Sequence, residues 1–354
     1  MKTFLKPLFL LSSVTIISDS VAAQEVEIIE PTLEDQIISQ PSQRRDGQYF
    51  SFNLENDSLG SGTDENYTSG VRISYHDAHL KIPSWARTIG ELYPGFRIND
   101  TTAITYSIGQ NLYTPRDITL TNPDSNDRPY AGWLYGSAAL SSITDNHQDQ
   151  FEIALGVVGP TALGKITQNF VHNHLTKGAD DPQGWNSQLK NEPGITLSWG
   201  REYPEYWETN WNEQLSFSVA PSFGATVGNV YTLAQAGLGF RLAPYSERFA
   251  DLPSRVSPSI PGTGYFPKLE DKWSWGFFGG VTGYAVGRNI FLDGNTWRDS
   301  PSVDKKPFIY DASIGFDTIY SNTRLSYTLT HRSKEFDGQD NASVFGSLTL
   351  TRRF

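Results

Sequence analysis

The sequence contains no cysteine, and its single methionine is Met1. The absence of cysteine excludes a disulfide scaffold, a thiolate metal site and a cysteine nucleophile. There is no Lys/Arg-rich run either, and acidic residues outnumber basic ones by 39 to 28, for a formal net charge of −11. Nucleic-acid binding needs many cations that neutralise phosphates, so we expect no nucleic-acid partner.

Long hydrophobic runs are also missing. After residue 23, no segment reaches the roughly 18 consecutive apolar residues of a transmembrane helix. Residues 1–23 have two early lysines, a short apolar stretch and small residues before a cleavage point, which is the pattern of a secretory signal peptide. Residues 24–47 are polar and acidic, and we expect a flexible arm there. The mature protein is therefore expected to be exported.

Aromatic residues and glycine are abundant, at 13% of the chain and 31 residues respectively. From Tyr49 onwards apolar and polar residues alternate, which favours β-strands with one apolar and one polar face. We predict twelve strands, at 48–56, 67–78, 100–112, 130–144, 149–159, 192–203, 208–223, 229–243, 272–288, 305–320, 322–335 and 342–354.

An even number of long antiparallel strands closes into a barrel without edges. Tryptophan and tyrosine recur near the predicted strand ends, where the aromatic girdles of a membrane barrel lie. We therefore predict an all-β fold, in which residues 48–354 form a single 12-stranded antiparallel transmembrane β-barrel with long extracellular loops. A large soluble β-sandwich with an aromatic core is the alternative.

The predicted connections are unequal in length. With the N-terminus in the periplasm, the long polar stretches 57–66, 113–129 and 160–191 become outer loops. The inner connection 77–99 has a helix start at Ser84, and the inner connection 244–271 is rich in proline and is expected to be irregular.

The outer loops hold the residues in which chemistry is expected. The motifs of serine hydrolases, zinc proteases and P-loop enzymes are absent. Carboxylate and amide groups cluster in the first outer loop, around Asn56 and Asp57, and such oxygens suit a hard cation. His172 lies in the longest outer loop, near Gln168. The ordinary alternatives are turn residues in the first loop and a solvated histidine in the third.

Six segments of the chain form a specific series. They are Phe52-Asn-Leu-Glu-Asn-Asp57, Tyr67-Thr-Ser-Gly-Val-Arg72, Gly109-Gln-Asn-Leu-Tyr-Thr-Pro115, Asp127-Arg-Pro-Tyr-Ala-Gly-Trp-Leu-Tyr135, Leu155-Gly-Val-Val-Gly-Pro160 and Gln168-Asn-Phe-Val-His172. Together they resemble the lipid A 3′-O-deacylase family of Gram-negative outer membranes, the LpxR-type barrels. Their order and spacing carry the resemblance over residues 49–200, and the strand pattern continues to Phe354.

The resemblance implies a Ca²⁺-dependent carboxylic ester hydrolase. Such an enzyme releases the 3′-acyloxyacyl chain of lipid A, the lipid of lipopolysaccharide, in the outer leaflet of the outer membrane. Carried over by motif, the catalytic residues are Asn56, Asp57, Thr68, Gln168 and His172. His172 is then the general base, since imidazole titrates near neutral pH, and Asp57 holds the Ca²⁺ that stabilises the oxyanion.

Substrate recognition departs from the family pattern in the second outer loop. Some members have lysines there that would meet the lipid A phosphates, whereas this chain has Arg116 and Arg128 among several aspartates. The two arginines are candidates for phosphate binding, with a structural ion pair to Asp127 or Asp57 as the alternative for Arg128. Two other functions remain open: a phospholipase or other lipid esterase on the same scaffold, and a non-catalytic barrel that acts as a narrow channel. We expect a monomer.

Overall fold

The computed structural model describes residues 31–39, 47–60, 66–79, 81–84, 87–88, 96–174, 180–212, 214–247, 250–253, 255–256, 263–266 and 272–354. The predicted signal peptide, residues 1–23, lies outside these ranges. In the inner connection 77–99, Ser84, Arg87 and Thr88 are helical, where a helix start was predicted at Ser84, and residues 80, 85–86 and 89–95 lie outside the described ranges. Within the described ranges, no helix is both long enough and apolar enough to cross a membrane.

The described residues form one antiparallel sheet that closes on itself. Its first strand pairs with its last, and on the other side the sixth strand pairs with the eighth. The strands are β1 Gln48–Asn56, β2 Asn66–Asp77, β3 Ala103–Thr114, β4 Ala131–Thr144, β5 His147–Val158, β6 Glu192–Glu202, β7 Trp207–Asn212, β8 Leu215–Gly228, β9 Tyr231–Pro244, β10 Trp273–Asn289, β11 Phe308–Tyr320, β12 Thr323–Arg332 and β13 Ser343–Arg353.

The short strand β7 continues β6 rather than adding a position to the barrel. β8 pairs with β7 through residues 215–219 and with β6 through residues 222–228. The barrel therefore has twelve strand positions, which confirms the predicted fold class.

The predicted strand 208–223 is wrong. The chain turns back between Asn212 and Leu215, so the first part of that run continues the line of β6 and the rest forms β8. The turn contains neither glycine nor proline, so the local sequence gives no break in the pattern. Each of the other predicted runs overlaps one observed strand.

The barrel is apolar outside and polar inside. On β1, Phe50 and Phe52 point outward and are exposed, whereas Ser51, Asn53 and Glu55 point inward and are buried. A soluble sandwich would bury the aromatic side chains and expose the polar ones, so the observed arrangement is that of a membrane barrel.

The lumen is filled by ion pairs between buried side chains. Arg332 donates two hydrogen bonds of 2.8 Å to Asp311, and Arg72 donates one of 3.1 Å to Glu152. Nearer the inner end, Asp317 accepts from two arginines, Arg241 and Arg324. Charges buried in this way need partners. The pairs therefore connect strands of the barrel, both adjacent strands and strands further apart.

The inner connection between β9 and β10 also contributes to this filling. The Val256 amide donates to the Glu55 carboxylate at 3.1 Å, and the Tyr135 hydroxyl donates to the Val256 carbonyl at 3.3 Å. Arg255 lies 3.8 Å from Glu55 and 3.9 Å from Asp311. The connection thus enters the lumen and reaches the residue that precedes Asn56.

The arm that we expected to be flexible contains a short helix, α1 (Leu33–Ser39). Leu33 and Ile37, one turn apart, are buried against Ile143 near the inner turn of β4 and β5. The Glu34 carboxylate accepts from the amide of Asp145 at 2.9 Å. An apolar pair at this spacing gives a helix one apolar face that can pack on the barrel. The polar composition of residues 24–47 does not reveal this pair.

Candidate functional site at the outer rim

The outer ends of four strands lie side by side on one part of the rim. Asn56 of β1 is opposite Ser69 of β2, Ser69 is opposite Leu112 of β3, and Leu112 is opposite Gly132 of β4. Adjacent strands are about 4.8 Å apart, so this row spans about 14 Å. Thr68 interrupts the β2–β3 register as the extra residue of a bulge, beside this row.

Asn56 and Asp57 form a tight turn at the end of β1. A 3-10 turn covers Asp57–Leu59, and the amide of Ser58 donates to both side chains, at 2.8 Å to Asn56 Oδ1 and 2.8 Å to Asp57 Oδ1. Ser58 Oγ also donates to Asn56 Oδ1. Asp57 is only 3% exposed. The turn therefore holds one carboxylate and one amide in fixed positions.

The first loop is pressed against the neighbouring strand β13. A Cβ atom on Gly60 would lie 2.7 Å from the Cα of Phe345, and a Cβ on Gly346 would lie 2.6 Å from the carbonyl oxygen of Leu59. Such approaches are possible only for glycine. The backbone after Asp57 is thus fixed to the sheet.

The third loop begins with a sharp turn that places a helix on the rim. Gly159 has a φ of +102°, which favours glycine, and Pro160–Ala162 forms a 3-10 turn. Helix α2 (Gly164–His174) follows. The Gln110 amide donates to the Ala162 carbonyl at 2.6 Å, which fastens the turn to β3.

Helix α2 starts above the same row of strand ends. A Cβ atom on Gly164 would lie 2.5 Å from the Trp185 ring and 3.1 Å from Leu112. A Cβ atom on Gly132 would lie 3.2 Å from that of Ala162. The third loop therefore packs on β3 and β4, next to the strands that carry Thr68 and Asn56.

Gln168 and His172 lie four residues apart on α2, so they share one face of the helix. Gln168 is 2% exposed, and its Oε1 accepts a 2.7 Å hydrogen bond from Trp185 Nε1. His172 is partly exposed, and its Nδ1 lies 2.8 Å from the Asp180 carbonyl oxygen. Since a carbonyl can only accept, Nδ1 carries the proton, and the lone pair of the neutral ring is on Nε2.

The structure thus carries the five expected catalytic residues at the outer end of the barrel, on two of the three long outer loops and the strand ends that bound them. Asn56 and Asp57 are adjacent, Thr68 lies on the next strand, and Gln168 and His172 share α2. Thr68 is placed by its backbone alone. Asp64 and Glu65 of the first loop lie outside the described ranges.

The two arginines of the second loop differ in surroundings. Arg128 is fully buried, 3.3 Å from Glu335, with its guanidinium over the Tyr113 ring. This burial corrects the expectation that it meets a phosphate. It favours the structural ion pair, whose partner is Glu335 rather than Asp127 or Asp57. Arg116 is exposed at the surface, where it pairs with Asp340.

The second loop also keeps a negative charge beside Arg116. The Thr119 hydroxyl and amide both donate to Asp117 Oδ1, at 2.6 and 3.0 Å, and these bonds lower the pKa of that carboxyl. The cationic character of this loop is therefore weak.

The donors at the first loop are of the kind that calcium prefers, namely carboxylate and amide oxygens. Asp57 is the carboxylate and Asn56 the amide. Across the described part of the chain, no group of three or more His, Asp or Glu side chains is arranged to hold a metal ion. By donor type the residues fit Ca²⁺, and Asp57 is the one charged ligand that the described loop offers.

Sequence reasoning missed two residues that shape the site. Trp185 supports Gln168 from a loop 17 positions further on, and Arg255 enters from the opposite end of the barrel to lie near Glu55. A tryptophan in a polar loop is a weak sign of burial, and nothing in the spacing connects it with Gln168. The position of Arg255 depends on the path of an irregular connection.

Comparison with known families agrees with this architecture. The family model described as outer membrane protein LpxR matches residues 8–354. The chain belongs to this family. The match covers nearly the whole sequence and confirms the resemblance given by the six segments.

One solved structure supports the same fold. LpxR from Salmonella typhimurium superposes with a TM-score of 0.69 at 18% identity, covering 86% of this chain and all (100%) of that one. The β domain of the Bordetella autotransporter BrkA matches with a TM-score of 0.40 at 9% identity, over 87% of this chain and 98% of that one. A search of curated protein sequences returned no match. The LpxR-family chain described here is thus an outer-membrane β-barrel.

Proposed function

We propose that this protein is a lipid A deacylase, which hydrolyses the 3′-acyloxyacyl ester with His172 as the general base. The observation that carries the proposal is the placement of Gln168 and His172 on one face of α2, packed on the rim that also holds Asn56 and Asp57. Membership of the LpxR family and the implied activity of that family point to the same reaction.

The histidine is oriented for base catalysis. With Nδ1–H directed to the Asp180 carbonyl, Nε2 is the atom that accepts a proton from water. The resulting hydroxide adds to the ester carbonyl carbon. The bond between that acyl carbon and the 3′-oxygen of the sugar then breaks. The imidazolium returns its proton to the departing sugar oxygen, so the products are a 3′-hydroxyl and a free acyloxyacyl acid.

The other site residues stabilise and align the reacting ester. Asn56 and Asp57 are held by the Ser58 amide, and Gln168 is held by Trp185, so these side chains lose little conformational entropy when they meet the ester. A calcium ion bound at Asp57 would supply positive charge for the carbonyl oxygen. The backbone places Thr68 on the neighbouring strand, beside this group.

A lipid substrate is supported by the outer face of α2. Ile166 and Phe170, one turn apart, are 66% and 56% exposed, and Leu163 before them is 46% exposed. An apolar stripe of this kind on a rim helix is suited to the acyl region of the outer leaflet. Gln168 and His172 lie on the other side of the same helix, so a lipid beside α2 is close to the base.

The filled lumen weighs against the alternative of a narrow channel. The buried ion pairs and the described part of the β9–β10 connection occupy the path along the barrel axis. A phospholipase remains distinguishable only by its product. The proposal does not depend on phosphate recognition by the second loop. Arg116 is the one exposed arginine of that loop, and Asp340 pairs with it.

The test uses purified, refolded protein in detergent with Ca²⁺ and lipid A, followed by mass spectrometry. We expect the loss of one acyloxyacyl chain, and we expect His172→Ala and Asp57→Ala to abolish it. His79→Ala is the matched control, because this exposed histidine follows β2 at the inner end. Unchanged lipid A together with lyso-phospholipid from added phospholipid would replace the proposal with a phospholipase.

A further inference from the structure

The Gln168 side chain has a defined orientation. Its Oε1 lies 2.7 Å from Trp185 Nε1, and the indole N–H can only donate. The amide oxygen must therefore face the indole. As a result, the NH₂ group of Gln168 points away from Trp185.

That NH₂ group has no hydrogen-bond partner among the described residues, although the side chain is 98% buried, with 2% exposed. An unpaired buried donor is costly, so it is expected to meet a water molecule or a ligand. Gln168 lies one turn before His172 on the same face of α2. The unpaired donor is therefore close to the proposed base.

Trp185 is itself held rigidly. It is 1% exposed, and its ring centroid lies 5.0 Å from that of Tyr130 in a tilted contact. On the other side, the ring is so close to Gly164 that a Cβ atom there would be 2.5 Å away. The indole thus has no room to rotate, and its N–H stays directed at Gln168.

We propose that Trp185 is a positioning residue for deacylation: its indole N–H fixes the Gln168 amide so that Nε2 donates to the ester oxygen on which charge develops. The inference rests on the proposed function, because it names the reacting ester as the acceptor. Without the indole donor the amide rotates freely between two orientations, and one of them presents an oxygen to the substrate.

The decisive experiment is a double-mutant cycle on lipid A hydrolysis with Trp185→Phe and Gln168→Ala. Losing one preorganised donor lowers kcat by roughly 10²–10³, so we expect Gln168→Ala to do so and Trp185→Phe to lower kcat by roughly tenfold to a hundredfold, with KM within about twofold. The double variant should be no slower than Gln168→Ala, because the indole acts only through the amide.

Trp297→Phe is the matched control, since this tryptophan is 65% exposed in another outer loop, and it should keep the wild-type kcat. If Trp185→Phe does not refold, 3-benzothienyl-alanine at position 185 keeps the bicyclic shape without the N–H and should give the same loss of kcat. Wild-type kcat in either variant, or effects that multiply in the double variant, would overturn the inference. His172→Ala and Asp57→Ala decide the proposed function separately.

Discussion

The buried ion pair between Asp311 and Arg332 gives the most quantitative prediction about this barrel. Asp311 is 2% exposed and accepts two bonds of 2.8 Å from Arg332 and one of 3.2 Å from the Tyr284 hydroxyl. Arg255 is 3.9 Å away. Asp311→Ala would leave two guanidinium groups in the lumen without this carboxylate.

Breaking a buried pair by removing one partner costs about 3–5 kcal/mol. We therefore expect Asp311→Ala to lower the free energy of unfolding by about that amount, or roughly two to four powers of ten in the unfolding equilibrium. Urea unfolding of the refolded barrel in lipid vesicles, followed by tryptophan fluorescence, measures the change.

The matched control is Asp337→Ala, which removes an acidic partner at the surface. Lys306 donates to Asp337 at 2.6 Å, but the two side chains are 37% and 69% exposed. Exposed pairs contribute about 0–1 kcal/mol, so this variant should unfold almost like the wild type. Equal unfolding curves for the two variants would refute the idea that buried pairs in the lumen stabilise the barrel.

Three further outcomes follow from the structure. In planar bilayers the wild-type barrel should show no stable ion conductance, because the lumen is filled; steady open channels would contradict this. Gly164→Ala should lower kcat by roughly tenfold or more, because the new methyl group would displace the Trp185 ring. Unchanged kinetics would show that the ring can move without affecting the site. Arg116→Ala should raise KM for phosphorylated lipid A by no more than about threefold, since Asp340 already pairs with Arg116; a tenfold rise would make Arg116 a phosphate contact.

The architecture of the barrel could be predicted from the sequence because its cause is local. A strand with one face in lipid and one in the lumen needs apolar and polar residues in alternation, as Phe50, Ser51 and Phe52 show. The prediction failed at 208–223, where the turn after Asn212 has no glycine or proline to mark it.

The site was accessible to sequence reasoning only through motifs. Asn56–Asp57 and Gln168–His172 are local patterns, and family resemblance joined them. The contacts that orient them join residues far apart in the chain: Trp185 with Gln168, and the Asp180 carbonyl with His172. The burial of Arg128 against Glu335, 207 residues away, likewise depends on the closed barrel. Such long-range pairs have no periodic signature.

The central claim is most directly tested in one vessel that contains lipid A, phospholipid and Ca²⁺, with wild-type protein and His172→Ala compared by mass spectrometry. The account predicts that the wild type removes the 3′-acyloxyacyl chain from lipid A and leaves phospholipid intact, and that the variant removes neither. Deacylation of lipid A at the wild-type rate by His172→Ala, or cleavage of phospholipid alone by the wild type, would contradict it.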